Sequence, residues 1–422
     1  MMPGEIFIYV ITYVGLFTSI FFLLTLFENR KKLINHALPK ILPKVTILVP
    51  CVNEEVTLSK TLHSLLGLNY PKNKLEIIVI DDCSKDKTVE VAKSFKVLGV
   101  KVIVRKKNGG KGRALNTGLK HATGDLVGCL DADSVVERDA LRKMIGYFND
   151  SQCYAVTPAL KCTRPKNTWQ RIQTVEFLLG VFLRKVFALL GSIHVTPGPF
   201  TIFRMEFFKK HGGYDVSTCT EDIEIALRLQ YNNYRIENAP DANVHAIAKP
   251  TFGGMYEQRI RWYRGFMDNV LKYKSLFSKD YGNLGLFVLP MSFISVALAI
   301  VFITYSAYVF ISANIQRLIN LYVIGFDISN LIDLNFDLFF LNQSGIIFLG
   351  IISMLIGIVM IVLSRKISAE RSKLIWDYIL FVIFYMPLFA FWWVAAIYHK
   401  LTKGEVVWAG RIRSAKELGY LE

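Results

Sequence analysis

Two pairs of aspartates stand at the ends of two apolar, strand-like runs early in the chain. Asp81 and Asp82 end one run, and Asp131 and Asp133 end another. Residues i and i+2 of an extended segment point to the same side, so Asp131 and Asp133 are expected to face one cation. Carboxylate oxygens are the ligands that Mg²⁺ or Mn²⁺ prefers. An aspartate after a strand also starts turns, but two such pairs in one series favour a metal site.

A glycine-rich basic segment, NGGKGRALNTG, occupies residues 108–118 between the two pairs. It lacks the dinucleotide-binding spacing, because Leu115 stands where the third glycine should be. It is not a Walker loop either, because Gly112 follows Lys111. Alone, the segment predicts only a phosphate near Lys111.

A second acidic group, Thr220-Glu221-Asp222, opens the periodic segment 223–230. A capping threonine followed by acids in the first turn suits any helix, because the acids complement the helix dipole. Taken alone, this triplet therefore indicates no chemistry.

The stretch EQRIRWYRG, residues 257–265, holds three arginines and a tryptophan shortly before a long uncharged run. At 100° per residue its polar face carries Gln258, Arg261, Trp262 and Gly265. Such a helix is expected at a membrane surface, with its apolar stripe in lipid and its polar face toward the soluble domain. The stripe consists of Tyr256, Ile260, Tyr263, Met267 and Val270.

The two other arginines of this helix, Arg259 and Arg264, flank the apolar stripe and are expected to meet lipid phosphates. A second amphipathic helix is predicted over residues 171–190, and its pattern fits a core helix and an interface helix equally well.

Strands and helices alternate around the aspartates. This order predicts a mostly parallel sheet with helices on both faces, and ligands at the carboxyl ends of its strands. The strands are predicted at residues 44–50, 75–82, 100–105 and 125–133, and the helices at 53–66 (capped by Asn53), 84–95 and 110–122.

Four uncharged runs are long enough to cross a bilayer as helices: residues 6–27, 284–313, 345–363 and 378–398. The first follows Glu5 and lacks a cleavage site, so it is interpreted as an anchor and not a signal peptide. The basic residues 30–32 place the following domain in the cytoplasm. The tail after Tyr398 is also basic, although counting spans places it outside. One flank therefore breaks the rule, or the last run, with Pro387 near its middle, does not fully cross.

The composition favours a membrane enzyme with reduced cysteines. A formal charge of +16 suits an anionic membrane surface and a phosphorylated substrate, and with four spans present it does not point to nucleic acid. The six cysteines show no metal-ligand spacing and are expected to be reduced thiols.

Four of these motifs occur in the order of a known pattern: Asp81-Asp82, Asp131-Ala132-Asp133, Thr220-Glu221-Asp222 and residues 258–262. Together they resemble the membrane-embedded family 2 glycosyltransferases, which include cellulose, chitin, hyaluronan and poly-N-acetylglucosamine synthases. The end of the chain, residues 381–393 with Trp408 and Arg411, looks most like the poly-N-acetylglucosamine type. The resemblance implies an α/β GT-A fold and an inverting, processive transfer from a UDP-sugar to a β-linked polysaccharide, coupled to export.

The resemblance also implies roles for single residues. Asp222 is expected to be the general base, Asp133 with Asp131 to hold Mg²⁺ or Mn²⁺, and Trp262 with Glu221 to bind the acceptor. The residues expected to bind the nucleotide and donor are Asp81, Asp82, Glu54, Lys111, Asp131, Arg261 and Gln258. Pro197 and Pro199 depart from the family pattern, and only one span precedes the soluble domain. Both departures leave the product and processivity open.

The resulting organisation is a multi-pass plasma-membrane protein with a cytoplasmic catalytic domain. The expected partners are a UDP-sugar, a glycan or lipid-linked acceptor, membrane lipids and, as an open question, an accessory membrane subunit. Two alternatives remain: transfer of single sugars to a polyprenyl-phosphate lipid, and a transporter or structural subunit with a degenerate nucleotide-binding domain. The expected parts are an anchor (1–30), a GT-A domain (44–245), an interfacial region (246–282), a transmembrane region (283–400) and a basic tail (401–422).

Overall fold

An eight-stranded sheet forms the centre of the part of the protein that precedes the last three long apolar helices. The computed structural model describes residues 3–33, 37–323, 345–372 and 374–402. The strands lie in the order β3-β2-β1-β4-β7-β6-β8-β5. They are β1 (Val45–Cys51), β2 (Leu75–Asp81), β3 (Lys101–Val104), β4 (Leu126–Cys129), β5 (Val135–Val136), β6 (Cys153–Cys162), β7 (Ile202–Arg204) and β8 (Arg235–Ala246).

The first half of this sheet confirms the predicted parallel arrangement. β1 pairs in parallel with β2 and β4, and β2 pairs in parallel with β3. The second half is mixed, since β7 is antiparallel to both β4 and β6, and β5 is antiparallel to β8. The chain order reverses between β1 and β4, so the crevice at their carboxyl ends is where this class of sheet binds ligands.

The residues that the structure describes form twelve α-helices. Some pack on the sheet, and others are long apolar helices. They are α1 (Pro3–Glu28), α2 (Leu58–Leu66), α3 (Thr88–Ser94), α4 (Lys111–Leu119), α5 (Ala140–Ile145), α6 (Thr168–Leu189), α7 (Met205–His211), α8 (Glu221–Tyr231), α9 (Phe252–Lys272), α10 (Leu289–Val323), α11 (Gly345–Ile367) and α12 (Ile375–Leu401).

Strand β1 is apolar throughout because both of its faces are covered. Ile47 and Val49 belong to the core beneath α2 and α3, whereas Leu48 points to the core beneath α4. A strand buried on both faces is expected to have a continuous apolar run. This explains why the strand positions were predictable from sequence.

The helix predicted from residue 53 begins only at Leu58, so Asn53 does not cap it. Asn53 has φ +54°, and its side-chain oxygen accepts a hydrogen bond from the Lys85 amide at 2.8 Å. Its own amide donates to Ser84 Oγ at 2.9 Å. The segment after β1 is therefore a loop tied to the end of β2.

Four helices are long and apolar enough to cross a membrane, as the sequence predicted. They cover Ile6–Glu28, Leu284–Val323, Ile347–Ile367 and Ile375–Leu401. Pro387 lies inside the last one, and the helix continues through it. The tail, with Trp408 and Arg411, lies outside the described residues, and the side of the membrane on which it ends stays a prediction.

Helix α6 lies between the sheet and the membrane helices. Val175 and Leu178 pack in one cluster with Ile361 of α11. Phe182 packs with Phe22 of α1 in another. The apolar face of this helix is thus covered by protein, and the choice between a core helix and an interface helix stays a prediction.

The connection between α11 and α12, and the start of α12, are tied to β6 and α6 by polar contacts. Lys161 of β6 is buried, and its ammonium donates to the Ser368 carbonyl at 2.7 Å and lies 3.1 Å from Glu370 Oε2. Arg171 of α6 lies 3.3 Å from Asp377 Oδ1 of α12. The sheet and the membrane helices are thus joined at more than one place.

The predicted lipid-facing stripe of α9 is wrong, because it packs on protein. The ring of Tyr263 stacks on Trp393 of α12 with centroids 4.5 Å apart. The Tyr256 hydroxyl lies 3.1 Å from His399 Nε2 of the same helix. Arg259, predicted to meet lipid phosphates, is fully buried. Apolar periodicity fixes which face of a helix is covered, but not whether lipid or another helix covers it.

Candidate active site

Lys111 is the centre of a charged cluster at the switch in strand order. It is the first residue of α4, directly after Gly110, which has φ +85°. Its Nζ lies 2.7 Å from Asp131 Oδ1 and 3.2 Å from Glu221 Oε1. Burial alone would lower the pKa of Lys111, but the two carboxylates outweigh it and raise that pKa well above its usual value. The cluster therefore holds a permanent positive charge between two acids.

Asp222 stands next to this cluster and has the properties of a general base. Burial is the main cause that raises its pKa to about 6, and the neighbouring carboxylate of Glu221 adds to it. Lys111 and Arg261 oppose that rise. A carboxylate whose pKa lies close to neutral pH accepts a proton more readily than an ordinary aspartate, while still being ionised at pH 7.

The backbone of Asp222 is fixed by the segment that precedes β7. The Asp222 carbonyl accepts hydrogen bonds from the Thr196 hydroxyl at 2.7 Å and the Thr196 amide at 3.3 Å. Two residues on, a Cβ added to Gly198 would lie 2.7 Å from Lys111 Nζ. Neither Thr196 nor Gly198 was predicted to be a site residue, and only the prolines on either side of Gly198 stood out in the sequence. A glycine between two prolines was the available signal of a close approach.

Asp131 and Asp133 do not lie on an extended strand. Strand β4 ends at Cys129, and the Ser134 amide donates to the Asp131 carbonyl at 3.0 Å, which closes a turn. The two side chains were predicted to face the same side because residues i and i+2 of a strand do so, and that reason does not hold here. Within the described ranges no group of three or more His, Cys, Asp or Glu side chains is arranged to hold a metal. The assignment of Asp131 and Asp133 as metal ligands stays a prediction.

Asp81 and Asp82 are buried and make internal contacts. Asp81 accepts a hydrogen bond from the Ser84 amide at 3.1 Å. Asp82 pairs with Arg105 and accepts from the Gly110 amide at 2.7 Å. Asp82 therefore shapes the glycine-rich segment that carries Lys111. Their predicted contact with uridine is untested.

The two remaining predicted donor residues, Glu54 and Gln258, each accept a hydrogen bond from a residue close to them in the sequence. Glu54 Oε2 accepts a hydrogen bond from Thr57 Oγ1 at 2.7 Å. Gln258 Oε1 accepts one from Arg259 Nη1 at 3.2 Å. The structure thus does not bring either side chain into the Lys111 cluster, and their roles stay predictions.

Helix α9 turns the predicted polar face toward the site. A Cβ on Gly265 would collide with the side chain of Thr220, so only glycine allows α9 to approach α8 this closely. The Thr220 side chain does not cap α8, and its Oγ1 instead accepts from Asn269 Nδ2 of α9 at 3.0 Å. This contact brings Arg261 close enough to lower the pKa of Asp222.

The predicted environment of the cysteines is confirmed in part. All six are free, and Cys51, Cys129 and Cys153 are buried. Cys83 is exposed, however, because it lies in the loop after β2 with φ +69°.

Comparison with known proteins shows what the chain is similar to. Residues 46–212 match the model of glycosyl transferase family 2. The whole fold resembles that of a mannosyltransferase from Pyrobaculum calidifontis, solved with GDP-mannose and Mn²⁺, with a TM-score of 0.55 and 18% identity over 94% of this chain and 100% of that one. This likeness confirms the predicted GT-A fold.

Among curated proteins the chain is similar to poly-β-1,6-N-acetyl-D-glucosamine synthases. It is 34% identical over 278 residues to the one from Staphylococcus epidermidis, which covers 64% of this chain and 66% of that protein. It is 36% identical over 232 residues to the one from Staphylococcus aureus (strain COL), which covers 54% and 56%. The chain thus matches just under two thirds of one relative's length and little more than half of the other's.

Proposed function

We propose that the protein is an inverting, processive glycosyltransferase that moves N-acetylglucosamine from UDP-N-acetylglucosamine to a growing β-linked polysaccharide. The observation that carries this proposal is the position of Asp222, whose pKa is raised to about 6, beside the Lys111–Asp131–Glu221 cluster. The similarity to poly-β-1,6-N-acetyl-D-glucosamine synthases supports the choice of sugar.

In this proposal Asp222 removes the proton of the acceptor hydroxyl as that oxygen attacks the anomeric carbon. The UDP group leaves from the opposite side in a single displacement, so an α-linked donor gives a β-linked product. Arg261 donates hydrogen bonds to the departing diphosphate, where its planar fork suits phosphate oxygens. Trp262, partly exposed on the same face of α9, packs against the acceptor sugar.

A divalent cation fits this site by the chemistry of its donors. Asp131 and Asp133 offer hard carboxylate oxygens, and Mg²⁺ is commonly bound by one or two carboxylates together with substrate phosphates. Such a cation, Mg²⁺ or Mn²⁺, would neutralise charge on the diphosphate as a Lewis acid. Lys111 lies 2.7 Å from Asp131, so its positive charge would also lie close to a diphosphate held at Asp131.

The remaining assignments follow from this placement. The catalytic domain lies on the cytoplasmic side of the plasma membrane, where UDP-sugars are made, and lipid surrounds the four spanning helices. The polymer leaves along aromatic side chains of the membrane helices, with or without an accessory subunit. Transfer of one sugar to a polyprenyl phosphate needs the same donor site, so the length of the product decides between the two reactions.

The test is to incubate membranes containing the protein with a panel of radiolabelled UDP-sugars and to size the product by electrophoresis. Incorporation from UDP-N-acetylglucosamine into a long polymer is expected, and it should be about 10²-fold or more lower in membranes carrying Asp222→Asn. A product with one sugar attached to lipid would contradict processive synthesis. Equal incorporation from the Asp222→Asn membranes would contradict the assigned base.

A further inference from the structure

An ion pair between a fully buried arginine and a partly buried glutamate links three helices next to Trp262. Arg259 of α9 has no exposed surface, and its Nη2 lies 2.5 Å from Glu176 Oε2 of α6. The other oxygen, Glu176 Oε1, accepts a hydrogen bond from the Tyr385 hydroxyl of α12 at 3.2 Å. One carboxylate thus links the helix that carries Trp262 to the last membrane helix.

The guanidinium group of Arg259 also lies between two tryptophans. Its Cζ is 4.3 Å from the ring centroid of Trp262 and 5.6 Å from that of Trp392. Both distances are within the range of cation–π attraction. A planar guanidinium stacks on an aromatic ring, which a lysine ammonium does not. The Trp262 ring therefore lies against a guanidinium that is itself held by Glu176.

This arrangement is costly for the fold. Taking a guanidinium and a carboxylate out of water is only partly repaid by their attraction, and apolar residues of similar size often serve the fold equally well. Neither Arg259 nor Glu176 belongs to the charged cluster around Lys111. This ion pair is expected to add little to the stability of the fold, and it contacts Trp262, the proposed acceptor residue. Together these points indicate a role in orienting the Trp262 ring.

We infer that Glu176, Arg259 and Tyr385 are positioning residues that hold Trp262 in the orientation needed to bind the acceptor sugar. The inference rests on the proposed function, since it takes Trp262 as the acceptor platform. In this arrangement the hydroxyl of Tyr385 on α12 holds Glu176, and Glu176 holds Arg259. These contacts govern binding of the acceptor but not binding of the donor.

Three variants test the chain of contacts one link at a time. Tyr385→Phe removes a hydroxyl and keeps the ring. Glu176→Gln removes the negative charge, and Arg259→Lys keeps the positive charge but loses the planar stack. The control is Arg264→Lys, the same exchange on the same helix, where the arginine lies 3.9 Å from Asp268 and away from Trp262.

The measurements are the KM for a short β-1,6-linked N-acetylglucosamine oligosaccharide, the KM for UDP-N-acetylglucosamine, and the rate at which water hydrolyses that donor. Glu176→Gln and Arg259→Lys are expected to raise the acceptor KM roughly tenfold, and Tyr385→Phe about threefold, as the loss of a cation–π contact or one hydrogen bond would. Donor KM and hydrolysis should stay within about twofold, because neither needs Trp262. In a Trp262→Ala background, Glu176→Gln should add no further rise, since coupled residues are not additive.

The outcomes separate this inference from the proposed function. If Trp262→Ala raises the acceptor KM while Glu176→Gln and Tyr385→Phe leave it unchanged, the positioning role is overturned and the acceptor platform stands. If Trp262→Ala lowers hydrolysis and transfer by the same factor, the acceptor platform itself fails, and the positioning role with it. Should Glu176→Gln fail to fold, Tyr385→Phe decides, since it keeps both charges and the packing of the ring.

Discussion

The ammonium group of Lys111 lies 2.7 Å from Oδ1 of Asp131. This contact joins the first residue of α4 to the turn that follows β4, on either side of the switch in strand order. The glycine-rich segment and the acidic turn, each of little meaning alone, therefore belong to one site. The ammonium of Lys111 also offsets the negative charges of Asp131 and Glu221, which it contacts directly.

Replacing Asp222 by Asn should abolish most of the turnover while UDP affinity stays near that of the wild type. The amide keeps the shape of the side chain but cannot take up a proton, and loss of a general base typically costs about 10²-fold or more. Single-turnover transfer and UDP titration measure the two effects. A collapse of UDP affinity would show that Asp222 binds the nucleotide or supports the fold.

The pH dependence of transfer follows from the raised pKa of Asp222, which is about 6. Below that pH the carboxyl is protonated and cannot accept a proton, so the rate should rise with pH through about 6 and level off near neutrality. The measurement is kcat/KM between pH 5 and pH 8, with UDP binding as a control for the donor site. A rate that is flat across this range would contradict the assignment.

Removal of divalent cations should stop transfer. Asp131 and Asp133 are the expected ligands, so exhaustive EDTA treatment should abolish activity, and added Mn²⁺ or Mg²⁺ should restore it. Asp133→Asn should raise the cation concentration needed for half-maximal activity. Asp139→Asn is the matched control, because that carboxylate contacts Asn69 at 2.8 Å on the surface. Full activity after EDTA would contradict the metal site.

Two glycines on α9 offer a matched test of helix packing. Gly265→Ala should impair transfer strongly, because its Cβ would collide with Thr220 and push α9, with Arg261, away from α8. Gly253→Ala meets no atom within 4 Å and should be neutral, or stabilise the helix by up to about 1 kcal/mol. Activity and thermal unfolding of both variants provide the measurement. Equal activities would show that the close approach does not set the geometry of the site.

Three strands of the parallel half, β1, β2 and β4, were predictable because they are buried on both faces. β1 and β2 appear in the sequence as apolar runs, and the structure places them within one or two residues of the prediction. The antiparallel β7 was not predicted, since its three residues give no periodic pattern. A short strand is defined by its neighbours, and those are set by the tertiary fold.

The individual residues of the candidate site were predictable from the sequence, but the contacts between their side chains were not. The motifs identified Lys111, Asp131, Glu221 and Asp222, yet no sequence spacing indicates that Lys111 contacts Asp131, because the two lie on different elements. Arg259 shows the opposite case. Its position beside the apolar stripe on a helical wheel predicted a contact with lipid. Its partner is instead Glu176, which lies 83 residues earlier in the chain. Long-range ion pairs of this kind leave no trace in local periodicity.

The anchoring of the α11–α12 connection on β6, through Lys161 and Ser368, has a consequence for polymer growth. In the proposed reaction this tether would restrict movement of the sheet relative to the spanning helices during each addition. The growing end would then have to move by one sugar between additions, and polymer length would depend on how long that end stays bound.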